Sequence, residues 1–197
     1  MRPFTPNNFK GFYIYKLSLL AIVALMFGCA HGELGKVDQE LDHSLITKTT
    51  PIFVEPVSTK MAAFEGYDQN DGDKKSSDLR KIESNYASQI AKALRDQGYH
   101  ANAVSTPAKT GIVITGNVKM IDRGSAAKRI WVGMGAGSSN LDTDFTIEDR
   151  SQHKVLSKFE IKASSGGRGG LSSAGSFVDE HMSDGGEKVA DFISGKK

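Results

Sequence analysis

The sequence predicts an α+β fold, with a single domain built on a mainly antiparallel sheet of about four to five strands and two helices packed on one face. Three observations favour it. Apolar residues recur at helical spacing between Asp78 and Gln97, two alternating runs (141–148 and 155–163) flank a short turn, and a second amphipathic stretch runs from Phe177 to Ile193. Because the strand runs are grouped rather than alternating with helices, a doubly wound parallel sheet is disfavoured.

In the first half, residues 52–57 form a short apolar run that ends beside Pro56, which predicts an opening strand. Residues 65–77 are rich in turn formers and predict a loop. Ser77 or Asp78 is then expected to cap the first helix, and Gly98 to end it. The apolar stripe of this helix consists of Leu79, Ile82, Tyr86, Ile90, Ala93 and Leu94.

In the second half, residues 99–104 and 111–122 read as strands, the latter with Ile112, Ile114, Val118 and Met120 on one side. A hairpin follows, in which the strand over 141–148 carries Asp142 and Asp144 on its outer face. Gly185 and Gly186 weaken the prediction of the last helix, since each costs a helix interior about 1 kcal/mol.

The first 28 residues have the parts of a secretory signal peptide: a basic start and then an apolar run from Leu17 to Gly28. That run rises about 18 Å as a helix, too little for roughly 30 Å of hydrocarbon, and a longer span would enclose Lys16. Residues 29–50 are polar and are expected to form a flexible tether, which leaves 51–197 as the α+β domain.

The stretch Leu25-Met26-Phe27-Gly28-Cys29 resembles the lipobox of bacterial lipoproteins. The resemblance implies cleavage between Gly28 and Cys29, acylation of Cys29 (palmitate included) and a membrane anchor of several acyl chains. Ala30, rather than Asp, after the cysteine implies the outer membrane, with the domain facing the periplasm. The alternative is an ordinary buried cysteine at the end of an uncleaved anchor.

Composition excludes several classes of protein. The net charge of +2 includes three basic residues and no acid in the first 28 positions, so the remainder carries 22 basic and 23 acidic residues. A basic, nucleic-acid-binding protein is therefore not expected. One cysteine excludes an intramolecular disulfide and a multi-cysteine metal cluster.

A glycine-rich stretch, Lys128 to Ser139, is the most distinctive part of the chain. A dinucleotide fingerprint would need glycine at Ser138 and a following helix, and a P-loop would need a Gly-Lys-Ser/Thr ending. The stretch is instead interpreted as a loop for a partner or a ligand, or as a packing device in which Trp131 joins the core. The candidate contact residues are Trp131, Gly133, Gly135, Gly137 and Ser138.

Catalytic, metal and cofactor sites are not expected. The five histidines show no ligand spacing, and Gly175-Ser176 lacks the Gly-x-Ser-x-Gly frame of a serine nucleophile. The acidic turn at 68–73 lacks the glutamate that a calcium loop needs, because Leu79 stands at that position.

The lipobox, the string RIWVGMGAGSS, the hairpin DTDFTIEDRSQHKVLSKFEIKA and the closing GGEKVADFI resemble the bacterial domain-of-unknown-function family 4410 over roughly residues 50–194. The resemblance implies an envelope lipoprotein without assigned activity. The order of elements is also similar to lipoprotein domains of secretion and assembly complexes. The sequence thus predicts a non-enzymatic outer-membrane lipoprotein that binds an envelope protein or peptidoglycan. The alternatives are a ligand-binding module that uses loop 133–139 and a subunit of a secretion or assembly complex.

Overall fold

Seven strands and two long helices make up the described part of the chain, which a computed structural model gives as residues 31–124, 138–165 and 177–196. The helices are α1 (Gly72–Asp96) and α2 (Phe177–Ser194). The strands are β1 (His31–Gln39), β2 (Ile52–Val54), β3 (Ala63–Glu65), β4 (Ala101–Ala103), β5 (Ile112–Asp122), β6 (Asn140–Asp149) and β7 (Lys154–Ser164).

All seven strands belong to one mixed sheet of order β1-β7-β6-β5-β2-β4, with β3 also paired to β5. The pairs β1–β7, β7–β6 and β6–β5 are antiparallel. Strands β2 and β3 each pair in parallel with β5, and β4 pairs in parallel with β2. The α+β class and the two helices are confirmed, but the prediction of a mainly antiparallel sheet of four to five strands is wrong. The parallel pair β2–β4 arises because α1 carries the chain back to the end at which β2 began.

The segment predicted to be a flexible tether is part of the domain. From His31 onward, residues of the predicted tether 29–50 form β1, which pairs along its length with β7. Leu41 and Ile46, further along, are buried in the core. The sequence conceals this strand because Gly32 and Gly35 interrupt its alternation. Gly32 is needed there, since a Cβ would lie 2.8 Å from the carbonyl oxygen of Asp184 in α2.

Two local predictions also need correction. The pairing of β5 with β6 shifts between Val118 and Met120, so that Ile121 is buried and Met120 is only half-buried. Helix α1 begins at Gly72, one and a half turns before the expected cap. Asp78 is therefore a helix-interior residue, and it is buried. Gly98 does end the helix, with φ of +87°.

Both helices pack on the same face of the sheet, as predicted. Phe145 of β6 and Phe159 of β7 stack side by side on this face with ring centroids 5.7 Å apart. Tyr86 of α1 meets the first ring edge-on at 5.9 Å, and Phe192 of α2 stacks on the second at 4.1 Å. This aromatic row joins the two helices to the middle of the sheet and buries a large apolar area.

The helices approach each other closely at Gly185 and Gly186 of α2. A Cβ at Gly185 would overlap the hydroxyl of Tyr86, and one at Gly186 would lie 3.1 Å from the α1 backbone at Gln89 and Ile90. Tyr86 itself is completely buried, and burial raises its pKa. The two glycines that weakened the helix prediction are thus the residues that allow α1 and α2 to pack together.

We expect Gly185→Ala to lower the free energy of unfolding by about 2 kcal/mol, because the overlap with Tyr86 outweighs the gain in helix propensity. Urea denaturation followed by circular dichroism measures the change. Gly72→Ala is the matched control, since Gly72 is helical and exposed and has no atom within 4 Å of an added Cβ. Adding Tyr86→Phe to Gly185→Ala should restore part of the loss. Equal stability of the Gly185→Ala and Gly72→Ala variants would contradict the interpretation.

Candidate functional site

The structure describes only one of the residues that the sequence marked as a candidate site. Ser138 is half-buried just before β6. The others lie outside the described residues: Gly28, Cys29, Trp131, Gly133, Gly135 and Gly137. The site is therefore built from the described residues on either side of the glycine-rich segments 125–137 and 166–176.

These flanking residues all lie at one end of the sheet. The pairing places Ser164 level with Asn140, Asn140 level with Asp122, and Asp122 level with Glu65. We call this the Ser164 end of the sheet. Contacts there link the flanks of both segments to both helices through one group of side chains, which we call the junction cluster: Tyr67, Asp78, Arg123, Ser139, Ser165, Phe177 and His181.

Arg123 holds the start of segment 125–137. Its Nε donates to Asp78 Oδ2 at 3.0 Å, and its guanidinium lies 5.4 Å from the Tyr67 ring and 5.0 Å from the Phe177 ring. The Tyr67 hydroxyl donates to the same Asp78 oxygen at 2.9 Å. Burial and this hydrogen bond raise the pKa of Tyr67. A carboxylate in α1 thus fixes an arginine that also stacks on the first residue of α2.

Ser139 and Ser165 hold the other two flanks together. The amide of Ser165 donates to the carbonyl of Ser139 at 3.1 Å, and the amide of Ser139 donates to Ser165 Oγ at 3.1 Å. The two hydroxyl oxygens are 2.9 Å apart. These bonds hold the residues that follow segment 125–137 against the residue that precedes segment 166–176.

His181 joins this pair to α2. Its Nε2 lies 3.0 Å from Ser139 Oγ and 3.1 Å from the Ser139 carbonyl oxygen, and its ring is completely buried. Because a carbonyl only accepts, the proton is assigned to Nε2. A protonated Nε2 donates to Ser139 and does not take up the proton of its hydroxyl, so this contact positions Ser139 without activating it as a nucleophile.

The open face of the sheet carries the acidic residues that the sequence placed there. Asp144 lies 3.5 Å from Lys119, which also contacts Glu160 at 2.9 Å. Although burial opposes it, the hydrogen bonds from Lys119 and from the Lys36 amide lower the pKa of Glu160. Lysines thus neutralise these carboxylates, and the described residues contain no group of three side chains suited to hold a metal.

Sequence reasoning missed the junction cluster because its members are far apart in the chain. His181 and Ser139 are separated by 42 residues, and Arg123 and Asp78 by 45. By sequence pattern, Asp78 is expected at a helix cap, and His181 is one of five scattered histidines. One signal was available: an aspartate on the apolar face of a helix needs a buried partner.

We expect protonation of His181 to destabilise the domain. Burial lowers its pKa from the ordinary value of 6.5, against the hydrogen bond to the Ser139 carbonyl, which raises it. Since the unfolded chain then takes up the proton first, the free energy of unfolding falls as the pH drops below about 6.5. Urea denaturation between about pH 7.5 and about pH 5.5 measures this slope.

His181→Gln should flatten that slope, because glutamine still offers a side-chain amide to Ser139 and does not titrate. His100→Gln is the control, since His100 is exposed, and it should leave the slope unchanged. A slope that persists in His181→Gln would assign the pH dependence to other groups.

Several solved structures are similar to this chain. No curated protein matches it. Among solved structures it is similar to a PelC dodecamer from Paraburkholderia phytofirmans (TM-score 0.49, 13% identity, covering 84% of this chain and 99% of that one). It is also similar to a protein from Xanthomonas campestris (TM-score 0.42, 13% identity, 80% and 92% covered). A hypothetical protein from Chlamydia trachomatis has a TM-score of 0.39 and 9% identity, with 75% and 100% covered.

In the described residues no helix is long and apolar enough to cross a membrane.

The family of the chain is identified from its sequence. The family model for DUF4410, a domain of unknown function, matches residues 52–170. This range includes β2 to β7, α1 and five of the seven members of the junction cluster. The chain therefore belongs to the DUF4410 family.

Proposed function

We propose that this protein is a non-enzymatic lipoprotein of the bacterial outer membrane, anchored through acylated Cys29, whose domain faces the periplasm and binds an envelope partner. The observation that carries the proposal is the position of the only cysteine, directly after the apolar run that ends at Gly28. A secretory signal that ends at a cysteine is what lipid attachment requires.

The short link between Cys29 and the sheet also supports an anchored role. Strand β1 begins at His31, so that only Ala30 separates the cysteine from a paired strand. Two residues span at most about 7 Å, which would hold the domain against the bilayer. The longest strands, β5 and β7, would then extend to about 36 Å from the bilayer. A partner within about 36 Å of the bilayer is therefore favoured.

The candidate contact residues for this partner remain Trp131, Gly133, Gly135, Gly137 and Ser138. The first four lie in segment 125–137 and Ser138 directly follows it. The junction cluster ties both flanks of this segment to the helices. A segment with fixed ends loses less conformational entropy when it binds than a free chain does.

We expect Cys29→Ser to abolish incorporation of labelled palmitate, because the acylated thiol is removed. Ala30→Ser is the matched control, since it changes the adjacent residue and keeps Cys29; it should stay acylated and membrane-bound. Mass spectrometry of the purified membrane form checks the site. A chain that starts at unmodified Met1 and carries a free Cys29 thiol would refute the anchor.

We expect a photo-reactive amino acid at position 131 to crosslink to an envelope protein in intact cells, because Trp131 is an aromatic residue of the kind that anchors interfaces. The same probe at Gln152, which is exposed in the β6–β7 turn, is the control and should give no adduct. Co-sedimentation with purified sacculi measures the alternative partner. Binding to sacculi without a position-131 adduct would assign peptidoglycan as the partner.

A further inference from the structure

We propose that the Ser164 end of the sheet faces the anchoring membrane and lies against its phospholipid surface, with the strands standing upright from the bilayer. This orientation rests on the proposed function, since it assumes that Cys29 carries the lipid. It adds to that function the surface of the domain that meets the membrane.

The register of the sheet carries the argument. His31, the first residue of β1, pairs with Ser164. Through Ser164, Asn140 and Asp122 the same level continues across the sheet to Glu65 of β3. Because neighbouring strands are about 4.8 Å apart, this row extends about 19 Å sideways from the strand that follows the anchor. The lipid-bearing residue is thus attached at one corner of a broad edge.

Strand directions place the rest of the domain away from that edge. Strand β1 runs away from Cys29 for nine residues, or about 30 Å. The β6–β7 turn lies at the opposite end, where Asp149 pairs with Ile112 and Lys154. An upright sheet would therefore hold this turn about 30 Å above the bilayer.

The open face of the sheet is less suited to lie on the membrane. Two of its lysines are engaged by neighbouring carboxylates: Lys119 lies 3.5 Å from Asp144 and 2.9 Å from Glu160, and Lys162 lies 3.5 Å from Glu160. A face with such internal pairing offers no net positive charge to anionic lipid, and laying it on the bilayer would desolvate these pairs. An upright domain leaves this face in water.

The test measures the distance of single labelled positions from the bilayer in the acylated, full-length processed protein. Acylation consumes the thiol of the only native cysteine, so an introduced cysteine carries the only free thiol. Glu65→Cys, Gln152→Cys and Lys158→Cys, all at exposed positions, are labelled with one fluorophore. The labelled proteins are reconstituted in vesicles of phosphatidylethanolamine and phosphatidylglycerol, with or without a headgroup nitroxide quencher.

We expect the probe at position 65 to lose more than half of its fluorescence in quencher vesicles, and the probe at position 152 to lose almost none, because the turn stands about 30 Å away. Position 158 reports on the open face and should also be little quenched. Strong quenching at 158 would mean that the domain lies on its side, and equal quenching at 65 and 152 would mean that it has no set orientation. Either result overturns the proposal.

Failure of the anchor would give a different result. If Cys29 carries no lipid, the protein does not float with the vesicles, and a free native thiol appears in the mass spectrum before any probe is attached. A protein that floats and shows no quenching at position 65 refutes the orientation alone and leaves the lipid anchor intact.

Discussion

The close approach of α1 and α2 is the constraint on which the rest of the fold depends. Gly185 and Gly186 remove the side chains that would keep the helices apart, and the hydroxyl of Tyr86 occupies the space at Gly185. At this spacing Tyr86 reaches Phe145, while Phe192 stacks on Phe159. One face of the sheet is thereby covered by two helices that share a single aromatic row. A wider separation would open a cavity over the central strands, at a cost of several kcal/mol.

The same packing places the start of α2 at the Ser164 end of the sheet, where the junction cluster forms. Phe177 meets the Arg123 guanidinium, and His181 reaches Ser139. Asp78 brings α1 into the cluster from the other side. Residues that flank the two glycine-rich segments are thus held by both helices rather than by the sheet alone. The arrangement gives these segments fixed ends, which is a property expected of a binding surface on a rigid scaffold.

The proposed membrane anchor and the folded domain meet at β1. A flexible tether would have let the domain rotate freely about Cys29, and the polar composition of 29–50 predicted one. The prediction failed because pairing with β7 supplies backbone hydrogen bonds that do not depend on side-chain polarity. With Ala30 as the whole link, an acyl anchor would determine how the sheet stands on the bilayer as well as where the protein resides. The proposed orientation follows from this connection.

By itself the sequence determined the α+β class, the two helices, the β6–β7 hairpin and the family, because periodicity and turn residues are local properties. It also predicts that Cys29 carries a lipid, since the signal for it is contiguous in the chain. Only the tertiary structure decided the mixed sheet, the membership of β1 and the pairing of Asp78 with Arg123 and of His181 with Ser139. These depend on contacts between residues far apart in the chain, whose partners no local pattern specifies. The role of Gly185 illustrates the difference: locally it weakens a helix, and in the folded chain it lets two helices pack together.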